Sequence, residues 1–216
     1  MFFTGKSRLR ITQCVCACAA ALSMPSLQAQ TIISELLYDA ASTDNGNVFV
    51  ELFGTPGTLL DGLLLEGVNG SDGSIYRSVV LAGVIPADGV FLIGDDSGDG
   101  STFISNADLV LEIDFQNGPD SVVLRNGATV LDALGYGDFT GQVFAGEGDA
   151  APDVPSGSSL ARHNPLLDSN NNFNDFMVLD LATPGAVPVS AVPVPPAIAL
   201  FLSGIVGLVG VARKRS

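Results

Sequence analysis

The sequence predicts an all-β fold, a sandwich of two sheets, and three observations carry that expectation. Between Thr31 and Ala186 the apolar residues come in short runs with many β-branched members, divided by Gly, Asn and Asp. No stretch keeps a helical period over three turns. The chain has 25 glycines to serve turns, and short strands at such spacing favour two packed sheets over parallel strands joined by helices.

In chain order the expected strands are Ile32 to Tyr38, Val48 to Phe53, Gly62 to Val68, Val90 to Gly94, Leu109 to Phe115, Ser121 to Arg125, Thr129 to Tyr136, Ser159 to His163 and Phe176 to Leu179. The first two are apolar runs interrupted by Glu35 and Glu51. Asn126-Gly127, between SVVLR and ATVLDAL, is the strongest local signal. A type I′ hairpin turn needs positive φ at both central positions, and Asn-Gly tolerates it. In Ser159 to His163, alternation puts Leu160 and Arg162 on one face and Ala161 and His163 on the other.

The two ends read as addresses. Residues 1–29 carry Lys6, Arg8 and Arg10, then the apolar segment Cys14 to Leu22, then small residues up to Ala29, the order of a secretory signal peptide cleaved after Ala29. Pro25 argues against a buried helix there. All three cysteines (Cys14, Cys16, Cys18) fall in this segment, so the mature chain is expected to hold no thiol, disulfide or Cys-ligated metal. At the other end, residues 187–196 continue a proline-spaced stretch, AVPVSAVPVPP, that begins at Ala186 and suits an extended spacer. Residues 197–212 are uncharged and mostly apolar, short for a bilayer span of ~20 residues. Residues 213–216 follow, with Arg213, Lys214 and Arg215 as membrane-flanking basic residues. Because such residues stay cytoplasmic, the domain at 30–186 is expected on the far side of the inner membrane, where the signal peptide also sends it.

Charge narrows the partners further. The formal net charge is −14, yet between the basic ends three arginines (Arg77, Arg125, Arg162) face all 23 acidic residues, so that stretch carries −20. It would repel phosphate backbones and anionic lipid, which excludes nucleic acid as a partner.

Chemistry-bearing patterns are few. His163 is the single histidine, and no G-x-S-x-G or H-E-x-x-H motif is present, so no triad or zinc site is expected and the chain reads as a non-enzyme. Asp95-Asp96-Ser97-Gly98-Asp99-Gly100 places Asp95, Ser97 and Asp99 at alternate positions before a glycine, as an EF-type Ca2+ loop does. Asn106 stands where the closing Glu belongs, and a solvated acidic turn is the competing account. Calcium is thus the one cofactor the sequence offers a site for. Asp168-Ser169-Asn170-Asn171-Asn172 and Asn174-Asp175 also present oxygens, but they suit turns and Asx hydrogen bonds. Glu35 and Glu51 lie on separate strands. A glycosidase would need such a pair ~5 Å or ~6.5 to 9.5 Å apart across a cleft.

Two resemblances add to this reading. Val192-Pro193-Val194-Pro195-Pro196, the apolar stretch and the terminal basic cluster together resemble the PEP-CTERM class of sorting signals, nearest its VPLPA variant. That implies an exosortase-type processing enzyme as partner, in a Gram-negative bacterium that makes exopolysaccharide. The order IISELLYD, Phe49-Val50-Glu51-Leu52, Leu60-Asp61-Gly62-Leu63, IPADGVFLIG, DSVVLRNGATVLDALGYG and SSLARHNPLLDSNNNFNDFMVLDLATPGA resembles the lamin tail domain. This implies an immunoglobulin-like sandwich. The chain departs from that pattern in having no tryptophan and in its Gly/Asp-rich loop from Asp95 to Asn106.

The function these features lead to is a non-catalytic envelope or extracellular-matrix protein. It would be sorted from the inner membrane to the cell surface or matrix, with exopolysaccharide or other surface proteins as partners. A Ca2+-stabilised adhesive module and an accessory domain for extracellular hydrolysis are the alternatives.

Overall fold

The computed structural model of the chain describes residues 30–186. The signal peptide, the sorting motif Val192 to Pro196, the apolar stretch and Arg213, Lys214 and Arg215 lie outside the described residues. Among the described residues no helix is long and apolar enough to cross a membrane.

The elements are β1 (Ile32–Leu37), β2 (Phe49–Phe53), β3 (Leu64–Asn69), β4 (Ile75–Val80), β5 (Val90–Asp95), β6 (Leu109–Leu111), β7 (Asp120–Asn126), β8 (Thr129–Tyr136), β9 (Ser159–Arg162), α1 (Asn172–Asp175) and β10 (Phe176–Leu179). They form a six-stranded sheet, β10-β9-β1-β2-β5-β6, and a four-stranded sheet, β4-β3-β7-β8. This is the all-β, two-sheet arrangement that the short β-branched runs predict. Strand alternation sends Ile33, Leu36, Val50, Leu52, Phe91, Ile93 and Leu160 from the larger sheet against Leu65, Val122, Leu124, Leu134 and Tyr136 of the smaller one, forming the main core. Tyr38 and Tyr136 stack there with ring centroids 4.3 Å apart.

Several details differ from the sequence reading. β4 was not expected, since its Arg77 and Ser78 interrupt the apolar run. It forms because pairing with β3 satisfies its backbone, while as an edge strand it leaves Ile75 and Val80 exposed. β6 stops at Leu111 instead of Phe115 and pairs parallel to β5, the one departure from antiparallel pairing between named strands. In the β7–β8 hairpin Asn126 pairs with Thr129, so the two turn residues are Gly127 and Ala128. Of these only Gly127 has positive φ, +57°, which suits a turn with glycine first rather than a type I′ Asn-Gly. α1 is a single turn capped by Asn171, whose side chain accepts from the Asn174 N–H at 3.1 Å.

The larger sheet is covered on its outer face as well, and β1, β2 and β5 are buried along their whole lengths. Two small clusters sit there, Ile32 with Phe53 and Val90, and Leu37 with Phe49 and Leu92. Ala182 packs on the second. The last described residues therefore run across this face as a strap.

Candidate functional site

On the outer face the strap covers two acidic residues. Val50 and Leu52 point into the main core, so Glu51 between them points outward. β1 has a register shift between Ile33 and Glu35, a bulge that adds Ser34 to the strand and sets Glu35 directly opposite Glu51. Both glutamates are 2% exposed. They line a cleft of about 300 Å³ with Ser34, Ala161, Met177 and Thr183.

Every oxygen of the pair accepts a hydrogen bond. The Glu35 carboxylate takes the Ser159 hydroxyl (2.6 Å), the Thr183 N–H (2.8 Å) and the Thr183 hydroxyl (2.7 Å). Glu51 takes the Ser34 hydroxyl (2.7 Å) and the Gly185 N–H (2.8 Å). Burial pushes the Glu51 carboxyl up to about 7, against the pull of the Ser34 and Gly185 donors and helped by the charges of Glu35 and Asp88. The arrangement can clamp a chain segment and hold a proton.

A second constellation lies between the sheets around Arg162, whose side chain is 1% exposed. Its guanidinium donates to Asp132 on β8 (2.8 Å), Asp175 (3.1 Å), Asp168 (3.4 Å) and the Ile33 carbonyl (2.8 Å), and stands 4.7 Å over the Phe176 ring. Asp132 is fully buried, and burial raises its carboxyl against the pull of Arg162. Asp132, Glu147 and Asp168 each bring a carboxylate oxygen within 4.8 Å of the others. One Glu147 oxygen is buried without a hydrogen-bond partner, and burial, with the charges of Asp132 and Asp168, pushes this carboxyl up to about 7. Among the described residues this trio is the group whose spacing could hold a divalent cation.

Asp95 has hydrogen-bond partners of its own, apart from those of Ser97 and Asp99. Asp95 is buried, and its two oxygens accept the Gly46 N–H (2.8 Å) and the Ile113 N–H (2.9 Å), tying β5 to neighbouring loops. Ser97 and Asp99 face each other at 2.9 Å in an exposed turn, where Asp99 also accepts from Ser101. His163 is exposed. Leu160 and Arg162 share one face of β9 and Ala161 lies on the other, as alternation predicts, while His163 falls one residue past the strand.

Sequence reasoning named Glu35 and Glu51 but did not foresee that they face each other, because the bulge at Ser34 has no local signature. It read Asp168 to Asn172 as turn formers, yet Asn172 is fully buried and ties α1 to β8 and to the Glu147 loop, accepting from Gly135 and Glu147 and donating to the Ala133 carbonyl. Glu147 carried no signal at all, standing in a Gly-rich loop.

Comparison with known proteins adds nothing to this picture: no family model, no curated protein and no solved structure matches the chain.

Proposed function

We propose that the chain is an exported, non-catalytic envelope or extracellular-matrix protein, whose sandwich is an immunoglobulin-like module of the lamin tail type and whose C-terminal signal hands it to an exosortase-type processing enzyme. The observation that carries this reading is the order of three segments after Ala186: a proline-spaced stretch, sixteen uncharged residues and a basic cluster. The domain's architecture suits such a tail. Thr183 and Gly185 hydrogen-bond to buried Glu35 and Glu51, so the last described residues lie against the outer face of the larger sheet. Both glutamates are occupied in that fastening, which supports a structural or binding role for the sandwich over acid–base chemistry at this cleft.

Mass spectrometry of the protein recovered from native envelope, matrix and culture medium tests the reading at both ends. A mature chain starting near Gln30 and ending near Pro195 is expected. A chain that still carries residues 197–216 in every fraction would make it a tail-anchored membrane protein and remove the processing enzyme from the account.

A second reading, a Ca2+-stabilised adhesive module, is favoured by the Asp132, Glu147 and Asp168 trio with its unpartnered buried oxygen. A ligand at a hundred times its dissociation constant adds ~2.7 kcal/mol, so melting with and without chelator decides it. An unchanged melting temperature removes this reading.

A further inference from the structure

We propose that the strap, residues 181–186, is a pH-responsive latch: it lies closed over Glu51 while that carboxyl is protonated and leaves the sheet when it ionises, uncovering the apolar patch of Leu37, Phe49 and Leu92. The latch is defined on the sandwich alone, so its failure would leave the sorting reading untouched.

The geometry supplies each part. The strap is lightly held. Its outer side is exposed, with Leu181 at 81%, and its named attachments are the three hydrogen bonds of Thr183 and Gly185 and the packing of Ala182. Segments with so few contacts open at a small fraction of the global unfolding free energy. Closing it removes water from Glu51 and leaves that carboxyl directly opposite Glu35.

Among the described residues no cation offsets this. The strap, Leu-Ala-Thr-Pro-Gly-Ala, has no charged residue, and Asp180 precedes it. Around Glu51 stand Glu35 on β1 and Asp88 ahead of β5, both acidic. Asp108 shares the neighbouring cleft with Asp88, Pro184 and Gly185. Arg162, which also lines the Glu51 cleft, is committed to Asp132, Asp168 and Asp175. Glu51 has two hydrogen-bond donors where Glu35 has three, which makes it the less supported of the two as an anion.

The sign follows from linkage. With the strap closed the Glu51 carboxyl titrates at about 7; opening takes away the Gly185 N–H that pulls it down but returns water, and because burial is the larger influence the value falls toward the ordinary carboxylate range. Closure therefore takes up a proton, and rising pH favours the open form. One proton changes the open-to-closed ratio by up to about tenfold per pH unit between the two values, and not at all above the higher one.

Hydrogen exchange on the full chain in detergent micelles, corrected for intrinsic rates, reads this ratio from the peptide spanning 180–186. Its opening should climb by up to about tenfold per pH unit toward neutrality and then level off, while amides of the β7–β8 hairpin show no such rise. Glu51→Gln, neutral at every pH, should flatten the climb. A pH-independent strap in the wild type overturns the proposal, as does an unchanged climb in Glu51→Gln with an intact hairpin. If that variant does not fold, Ser34→Ala decides: it removes a donor that pulls the Glu51 carboxyl down, so levelling off must move to higher pH, and an unmoved profile overturns the latch.

Discussion

Arg162 is the residue on which most of the interior charge depends. It neutralises Asp132, fully buried on the opposite sheet, and bridges Asp168 and Asp175 on the loop and single turn ahead of β10. Replacing one partner of a buried pair leaves the other charge uncompensated, which costs about 3–5 kcal/mol. Arg162→Met is therefore expected to lower the unfolding free energy by that amount, measured by urea denaturation at neutral pH. A loss below about 1 kcal/mol, the value of an exposed pair, would mean that water reaches the cluster. The inward aim of Arg162 was legible, because alternation beside Leu160 dictates it. Its partners were not, since Asp132 lies 30 positions away on another sheet and nothing local marks it.

At the scale of elements, runs of apolar residues located strands well wherever both faces are covered. Phe49–Phe53 and Val90–Asp95 lie in the middle of the larger sheet, and their near-continuous apolar sequence is what burial on two faces demands. The signal fails at edges. β4 tolerates Arg77 and Ser78 because one side of it faces solvent, and β6 keeps only three paired residues because its one partner is β5. Turn chemistry was legible to within one residue: Asn126-Gly127 marked the hairpin, but the glycine takes the first turn position. Gly127→Ala forces a Cβ into φ +57° and should cost roughly 1–2 kcal/mol, seen as a lower urea midpoint with an unchanged slope. No heavy atom stands within 4 Å of that Cβ, so any loss reports backbone conformation and not a clash.

For the whole molecule, the raised Glu51 carboxyl sets a direction for stability against pH. The folded state binds this proton more tightly than the unfolded chain, so the contribution is complete below the ordinary carboxylate range and fades as pH rises through about 7. Global stability should therefore decline between pH 5.5 and 8, and Glu51→Gln should lessen that decline in urea titrations. A wild-type stability that rises across the same interval would overturn this, because carboxylates such as Asp175, which burial raises but which Ser169 and Arg162 hold below its ordinary value, are ionised in folded and unfolded chain alike there and give no slope. The all-β class was legible in composition, whereas closure of the larger sheet was not, because it depends on pairings across most of the chain. β1, first to be made, meets β9 in Glu35 and Ala161, and the strap bonds to Glu35 lie 148 positions away in sequence. High contact order of this kind slows folding and postpones it. A nascent chain lacking everything after residue 158 has no β9 beside β1 and no Arg162 for Asp132, and should stay open to protease until the remainder is made. Synthesis and folding are thereby kept apart in time, so the polypeptide stays threadable through a narrow channel until almost its last domain residue has emerged.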